Sequence, residues 1–197
     1  LPTNPEPQVL NGHTGLVVPD RGALLERLSG VKDALAGTQF AYAEHNDYVE
    51  AVCPWGNRVR CFEPGERFGA MRLGMPYVEI DAPTGTADGI VRFYKEIMDT
   101  HAEAGQEDGG AVARVSAGDG QTLVFRETDA PLPDYDGHHI AIYIADFSGP
   151  YQKLLERNMV SEESDQHQYR FLDIFDPADG KVLLRIEHEV RSMRHPM

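Results

Sequence analysis

Apolar and polar positions along the chain change period in the same order three times. The clearest instance is Gly137–Asp146, GHHIAIYIAD, where His139, Ala141 and Tyr143 project one way and Ile140, Ile142 and Ile144 the other. Period-two alternation marks a strand with one buried face and one face left for other uses. A late partner, Gly180–Val190, GKVLLRIEHEV, is also strand-like and carries Glu187. A His and a Glu on two strands of one curved sheet, both on the same face, have the donor types a divalent metal takes.

Read in order, the chain predicts three units. Residues 1–11 are proline-rich and expected to be a tail or linker. The first unit, 12–63, opens with a strand at His13–Val18, and Asp20 is placed to cap the helix that follows. Leu24, Leu25, Leu28, Val31 and Leu35 recur at helical spacing, a stripe expected to pack in the core. Strands at Phe40–His45, Tyr48–Cys53 and Arg58–Glu63 complete the unit, with turn residues between them. The second, 74–128, has strands at Pro76–Ala82, His101–Glu107, Ala111–Ala117 and Gln121–Thr128, and a helix with Ile90, Phe93, Tyr94, Ile97 and Met98 on one face. The third, 137–190, has a helix bearing Tyr151, Leu154, Leu155 and Met159, then strands at Val160–Glu163, Gln168–Phe175 and Lys181–Val190. The acidic run Ser161–Asp165 reads as a solvated loop, and Met193–Met197 as a short mobile tail.

Gly56, Gly120 and Gly180 each close a turn, and each is followed seven residues later by a glutamate: Glu63, Glu127 and Glu187. The matching first strands offer His13, Tyr77 and His139. Three matches in register, with one element order, make an internal repeat of about sixty residues. The fold class is therefore α+β, built from repeated βαβββ modules.

Charge narrows the partners. At 197 residues with a net charge of −14, neither a phosphate backbone nor an anionic membrane surface suits the chain. No apolar run approaches a membrane span and no signal-peptide pattern opens the sequence. Cys53 and Cys61 form no CxxC motif, and two reduced thiols in a cytoplasmic protein are expected. The chain begins with Leu1 rather than Met, which predicts trimming or an upstream segment.

The His139 strand with Asp146 before its helix, the helix segment VRFYKEIM (Val91–Met98) and the FDPADG turn (Phe175–Gly180) resemble the vicinal oxygen chelate superfamily. That group includes glyoxalase I, type I extradiol dioxygenases and bleomycin-resistance proteins. The resemblance covers 74–190, and 12–63 more loosely. It implies paired modules forming cupped mixed sheets, with metal ligands on the first and last strands of each. Repeats two and three would share one such sheet and form one domain, offering Tyr77, Glu127, His139 and Glu187. Tyr77 departs from the usual ligand types, and Glu79 lies on its strand face. Glu187 also stands further from its turn glycine than the family's glutamate, at whose place this chain has Leu184, so a bulge or a longer hairpin is needed. His13 and Glu63 hold the matching positions in repeat one. That repeat would pair with a missing upstream module, with a second subunit in a homodimer, or cover a sheet edge.

The resemblance implies a divalent metal (Fe, Mn, Ni or Zn) holding two adjacent oxygens of a small-molecule substrate. One first-strand His per pair favours isomerase or lyase chemistry over ring cleavage. Glu127, Tyr77 and Tyr143 are the candidate catalytic groups, with His167 and Tyr169 as further proton carriers. Otherwise His139 is a satisfied core residue, and Glu187 pairs with Arg185 or Arg191. His138 and His188 fall on the opposite face and read as structural or surface residues. The alternative function is a metal-free small-molecule binding or sequestering protein of the bleomycin-resistance kind, whose acidic surface would suit a cationic compound.

Overall fold

The structure is a computed structural model and describes residues 6–196; the ends of the two tails lie outside the described residues. Its element order is β1 (Gly12–Val17), α1 (Arg21–Val31), β2 (Ala41–Glu44), β3 (Tyr48–Val52), β4 (Arg58–Phe62), then β5 (Gly74–Pro83), α2 (Ala87–Glu96), β6 (Ala102–Glu107), β7 (Gly110–Gly118), β8 (Gln121–Thr128), and finally β9 (His139–Ile144), α3 (Ser148–Leu155), β10 (Val160–Asp165), β11 (Gln168–Phe175) and β12 (Val182–Ser192). The βαβββ order thus occurs three times. Gly56, Gly120 and Gly180 all have positive φ (107°, 66° and 76°), which suits turns that favour glycine.

The chain divides into two compact units. Unit 1 runs to Ile80 and takes in Gly118–Val124; unit 2 holds Asp81–Ala117 and Phe125 onward. In unit 1 the strand order is β2-β3-β4-β1-β5-β8. β1 runs parallel to β4, with Thr14 opposite Val59, and antiparallel to β5, with Thr14 opposite Val78. Val17, Val49, Cys61 and Phe62 are buried here. Asp20 caps α1 as expected, its carboxylate accepting from Ala23 N–H at 2.8 Å. The expected core stripe of α1 is not met. The helix ends at Val31, short of Leu35, and none of its residues is buried. Residues before β1 are held rather than loose, since Asn57 accepts from Leu10 N–H and donates to the Gln8 carbonyl, both at 2.9 Å.

In unit 2 the series β5-β8-β7-β6 is joined by a separate four-stranded sheet, β10-β11-β12-β9. The expectation that repeats two and three close one sheet is corrected by this pairing. The first strand of repeat two is hydrogen-bonded to that of repeat one, and the third repeat keeps its strands to itself. What ties repeat two to repeat three is α2. Phe93 packs on Phe171 and Phe175, and Tyr94 reaches His188. Arg92 donates to both carboxylate oxygens of Asp176, at 2.9 and 2.5 Å, which holds that carboxyl down at about 2. Gly89 lets the helix approach, since a Cβ there would lie 2.6 Å from Leu183 Cδ1. The acidic run expected as a loop is β10, an edge strand that is nonetheless solvated. Among the described residues no helix is long and apolar enough to cross a membrane.

Candidate functional site

The candidate residues fall into two clusters, one in each unit. In unit 2, β12 runs parallel to β9 with Glu187 directly opposite His139 and Arg191 opposite Tyr143. The alternation read from the sequence holds: the odd-numbered residues share a face, while His188 and Val190 turn to the core. His139 is exposed and Glu187 half-buried. Pairing between β11 and β12 is irregular between Phe171 and Asp173, next to Glu187.

Glu187 pairs with neither Arg185 nor Arg191. Arg170 of β11 donates one Nη to Glu187 Oε1 at 2.5 Å and the other to Glu189. Arg191 ion-pairs with Glu189 and donates to the Tyr143 hydroxyl at 3.0 Å. Arg185 instead donates to Asp173. This face therefore carries two carboxylates and two guanidiniums in alternation, flanked by an imidazole and a phenol. Pulling Glu187 away from Arg170 would leave Arg170 and Arg191 sharing the single carboxylate of Glu189, a cost any competing cation must overcome.

The other candidates in this unit lie elsewhere. Glu127 accepts from Ala87 N–H at 2.8 Å, stabilising the first turn of α2. Tyr169 is a core residue against Phe147 and Tyr151 on the face away from Glu187, and burial pushes its hydroxyl pKa up. His167 Nδ1 sits 3.3 Å from Ser192 Oγ. His138 is buried against Asp136, with Nδ1 at 2.6 Å from Oδ1. His188 is fully buried, stacked on Phe171 with centroids 4.3 Å apart. Its Nδ1 lies 3.0 Å from the Ile186 carbonyl and its Nε2 2.5 Å from Tyr94 OH. A carbonyl cannot donate, so Nδ1 carries the proton and Nε2 accepts from the tyrosine.

In unit 1, His13 and Tyr77 do meet. Tyr77 OH lies 3.1 Å from His13 Nε2, and Glu79 Oε1 is 3.8 Å from His13 Nδ1. Burial pulls His13 down to about 4, with Arg60 and Arg58 lowering it further and Glu79 opposing them, so the ring is neutral at pH 7. Nδ1–H faces Glu79 and Nε2 accepts from Tyr77. Gly15 is what lets Tyr77 lie there, because a Cβ at that position would stand 2.3 Å from the ring. Glu63 is not part of this group; it follows the end of β4 and is exposed. Sequence reasoning noticed Glu79 but missed Arg58 and Arg60. The alternation Arg58-Val59-Arg60 on a strand, basic-apolar-basic, was the available signal.

Among the described residues, no group of three or more His, Cys, Asp or Glu side chains is arranged to hold a metal ion. His139 and Glu187 lie opposite each other in register, a pair of donors rather than a set. His13 with Glu79 offers two more donors, but between guanidiniums that oppose a cation.

No family model and no curated protein sequence matches the chain. Solved structures do. Glyoxalase I from Zea mays aligns at 12% identity over 92% of this chain and 66% of its own, with a TM-score of 0.56. The 2,2',3-trihydroxybiphenyl 1,2-dioxygenase of Sphingomonas wittichii strain RW1 aligns at 10% identity over 93% of this chain and 67% of its own, with a TM-score of 0.50. The chain thus spans about two thirds of the length of these proteins. At such identities the likeness speaks for the architecture alone, and with the thrice-repeated βαβββ order it establishes that the chain shares the fold of this glyoxalase I and this dioxygenase.

Proposed function

We propose that the β9/β12 face of unit 2 is half of a divalent-metal site of the vicinal oxygen chelate kind, acting on a small oxygen-rich metabolite. The observation that carries the reading is the register that sets His139 opposite Glu187 on one sheet face. These two residues would hold the ion, which when bound supplies Lewis-acid polarisation of two adjacent substrate oxygens.

The chain's own groups have separate tasks. Arg170 orients Glu187 and offers positive charge beside it, suited to an anionic substrate oxygen. Tyr143 accepts a hydrogen bond from Arg191, which leaves its own O–H to donate to substrate.

The remaining donors would come from a second copy. β9 ends its sheet, with β12 its partner among the described residues. In unit 1 the equivalent strand, β1, pairs antiparallel with the first strand of the next repeat, which brings His13 and Tyr77 into contact. The same pairing between two β9 strands would bring two His139/Glu187 pairs together.

Metal content tests this. After anaerobic reloading with Fe, Mn, Ni and Zn in turn, the protein should retain one of them at about one ion per two chains, and Glu187→Ala and His139→Ala should each lose it while staying folded. Retention of no metal by the wild type would sink the catalytic reading in favour of a metal-free binding protein.

A further inference from the structure

The richest unassigned surface lies in unit 1, independent of the metal reading. Register places Glu50 opposite Arg60, Arg60 opposite Gly15, and Gly15 opposite Tyr77 across β3, β4, β1 and β5. Arg58, two residues from Arg60, shares that face. The two guanidiniums are held by their inner nitrogens. Arg60 Nε donates to Glu50 Oε2 and Arg58 Nε to the Gly12 carbonyl, each at 3.1 Å. Neither has a protein acceptor for its Nη groups among the described residues, so two guanidinium forks are anchored at the base and open at the tip.

Aromatic rings line the same face. Phe62 is buried at the centre, with Tyr48 at 5.4 Å, Phe68 at 5.3 Å and Tyr77 at 6.2 Å between centroids. Arg60 stands over the Tyr48 ring, and Arg67 over both Phe62 and Phe68 at 4.4 and 4.5 Å. Tyr77 is fixed by its hydrogen bond to His13 and by the missing side chain of Gly15. Three guanidiniums thus share this face with Glu50 and Glu79, in a protein of net charge −14. Arg60 and Arg67 both bear electrostatically on Tyr77, and Arg58 and Arg60 on His13. A guanidinium fork matches the plane of a carboxylate, and half-exposed rings around a buried one favour a flat apolar body.

We propose that this face binds a planar aromatic carboxylate, with the carboxylate on Arg58 and Arg60 and the ring among Tyr48, Phe68 and Tyr77. Binding here needs no metal and selects for an anion, the opposite of what the acidic surface as a whole would attract.

Calorimetric titration of the full chain with benzoate tests it, with acetate and benzyl alcohol as probes lacking the ring or the charge. Saturable 1:1 binding of benzoate is expected, with acetate and benzyl alcohol each weaker by about tenfold or more. Arg58→Gln and Arg60→Gln should each weaken benzoate by about tenfold, Arg60→Lys should restore only part of it, and Arg21→Gln, at an exposed ion pair with Glu44, should change nothing. Arg58 supports a single backbone carbonyl, so its variant remains informative if loss of the Glu50 pair unfolds Arg60→Gln. No saturable benzoate binding at millimolar concentration would overturn the proposal. So would equal binding of benzyl alcohol or acetate, or unchanged binding in folded Arg58→Gln.

Discussion

His188 shows how one buried side chain links a helix to a sheet. Its imidazole accepts from Tyr94 on α2, donates to a β12 carbonyl and stacks on Phe171. Burial pulls its pKa down to about 4. An unfolded histidine titrates near 6.5, so between those values the unfolded state binds the proton that the folded state refuses. Stability should be flat above pH 6.5 and fall by about 3 kcal/mol by pH 4 from this group alone, in the direction His13 also acts. Urea midpoints measured across that range should show the fall, and His188→Gln should flatten it. A slope unchanged in that variant would place the titration elsewhere. Tyr94→Phe leaves Nε2 without its donor and should cost about 1–3 kcal/mol, read from the same unfolding curves. At Gly15 the constraint is volume. Gly15→Ala puts a methyl into the Tyr77 ring and should destabilise unit 1 by about 1–3 kcal/mol, with loss of the His13–Tyr77 contact visible in the histidine NMR resonances.

At the scale of elements, α1 and α2 both carry apolar residues at helical spacing and end differently, α1 being far the less amphipathic of the two. α2 buries Ile90, Val91, Phe93 and Tyr94, whereas α1 buries nothing. Periodicity tells which face of a helix is apolar, and cannot tell whether a neighbour covers it. The same limit explains the sheet pairing. Alternation at His139–Ile144 located β9 and its outward face, and the His139/Glu187 juxtaposition followed from it. Which repeat's first strand lies beside which is a long-range choice that strand sequences of similar composition do not encode locally. Arg170, the partner of Glu187, was hidden for a related reason: bulges between β11 and β12 set its register, and bulges are not visible as alternation. Glu127 was read as a ligand because its repeat position matched, while its carboxylate in fact serves a helix end. Glu127→Ala should therefore cost about 1 kcal/mol and speed amide exchange in the first turn of α2, with Glu127→Gln close to wild type. Loss of bound metal in Glu127→Gln, with exchange unaffected, would return the residue to the ligand set.

At the scale of the whole molecule, β9 ends its sheet among the described residues. The strand HIAIYI, with no proline, lysine or carboxylate, lacks the devices that keep edges unpaired, and the chain contains its own example of how such an edge is closed. Thr14 of β1 faces Val78 of β5, and these are matching positions of successive repeats. Ile140 is the matching residue in the third repeat, so a two-fold β9–β9 pairing built the same way sets Ile140 opposite its copy. Paired strands hold such residues about 4.5–5.5 Å apart at Cα, within disulfide reach. Ile140→Cys should thus form an intermolecular disulfide under mild oxidation more readily than Val182→Cys, an exposed control at the start of β12. Ala141→Lys, on the exposed face of the same strand, should shift the sedimenting species from dimer to monomer by setting like charges across the seam. If the His139 and Glu187 pairs of two copies share one ion, chelation should weaken the wild-type dimer and leave the Ile140→Cys crosslinked form intact. A wild-type monomer at every concentration, metal present, would mean that β9 meets some other strand, and that the other half of the site belongs to it.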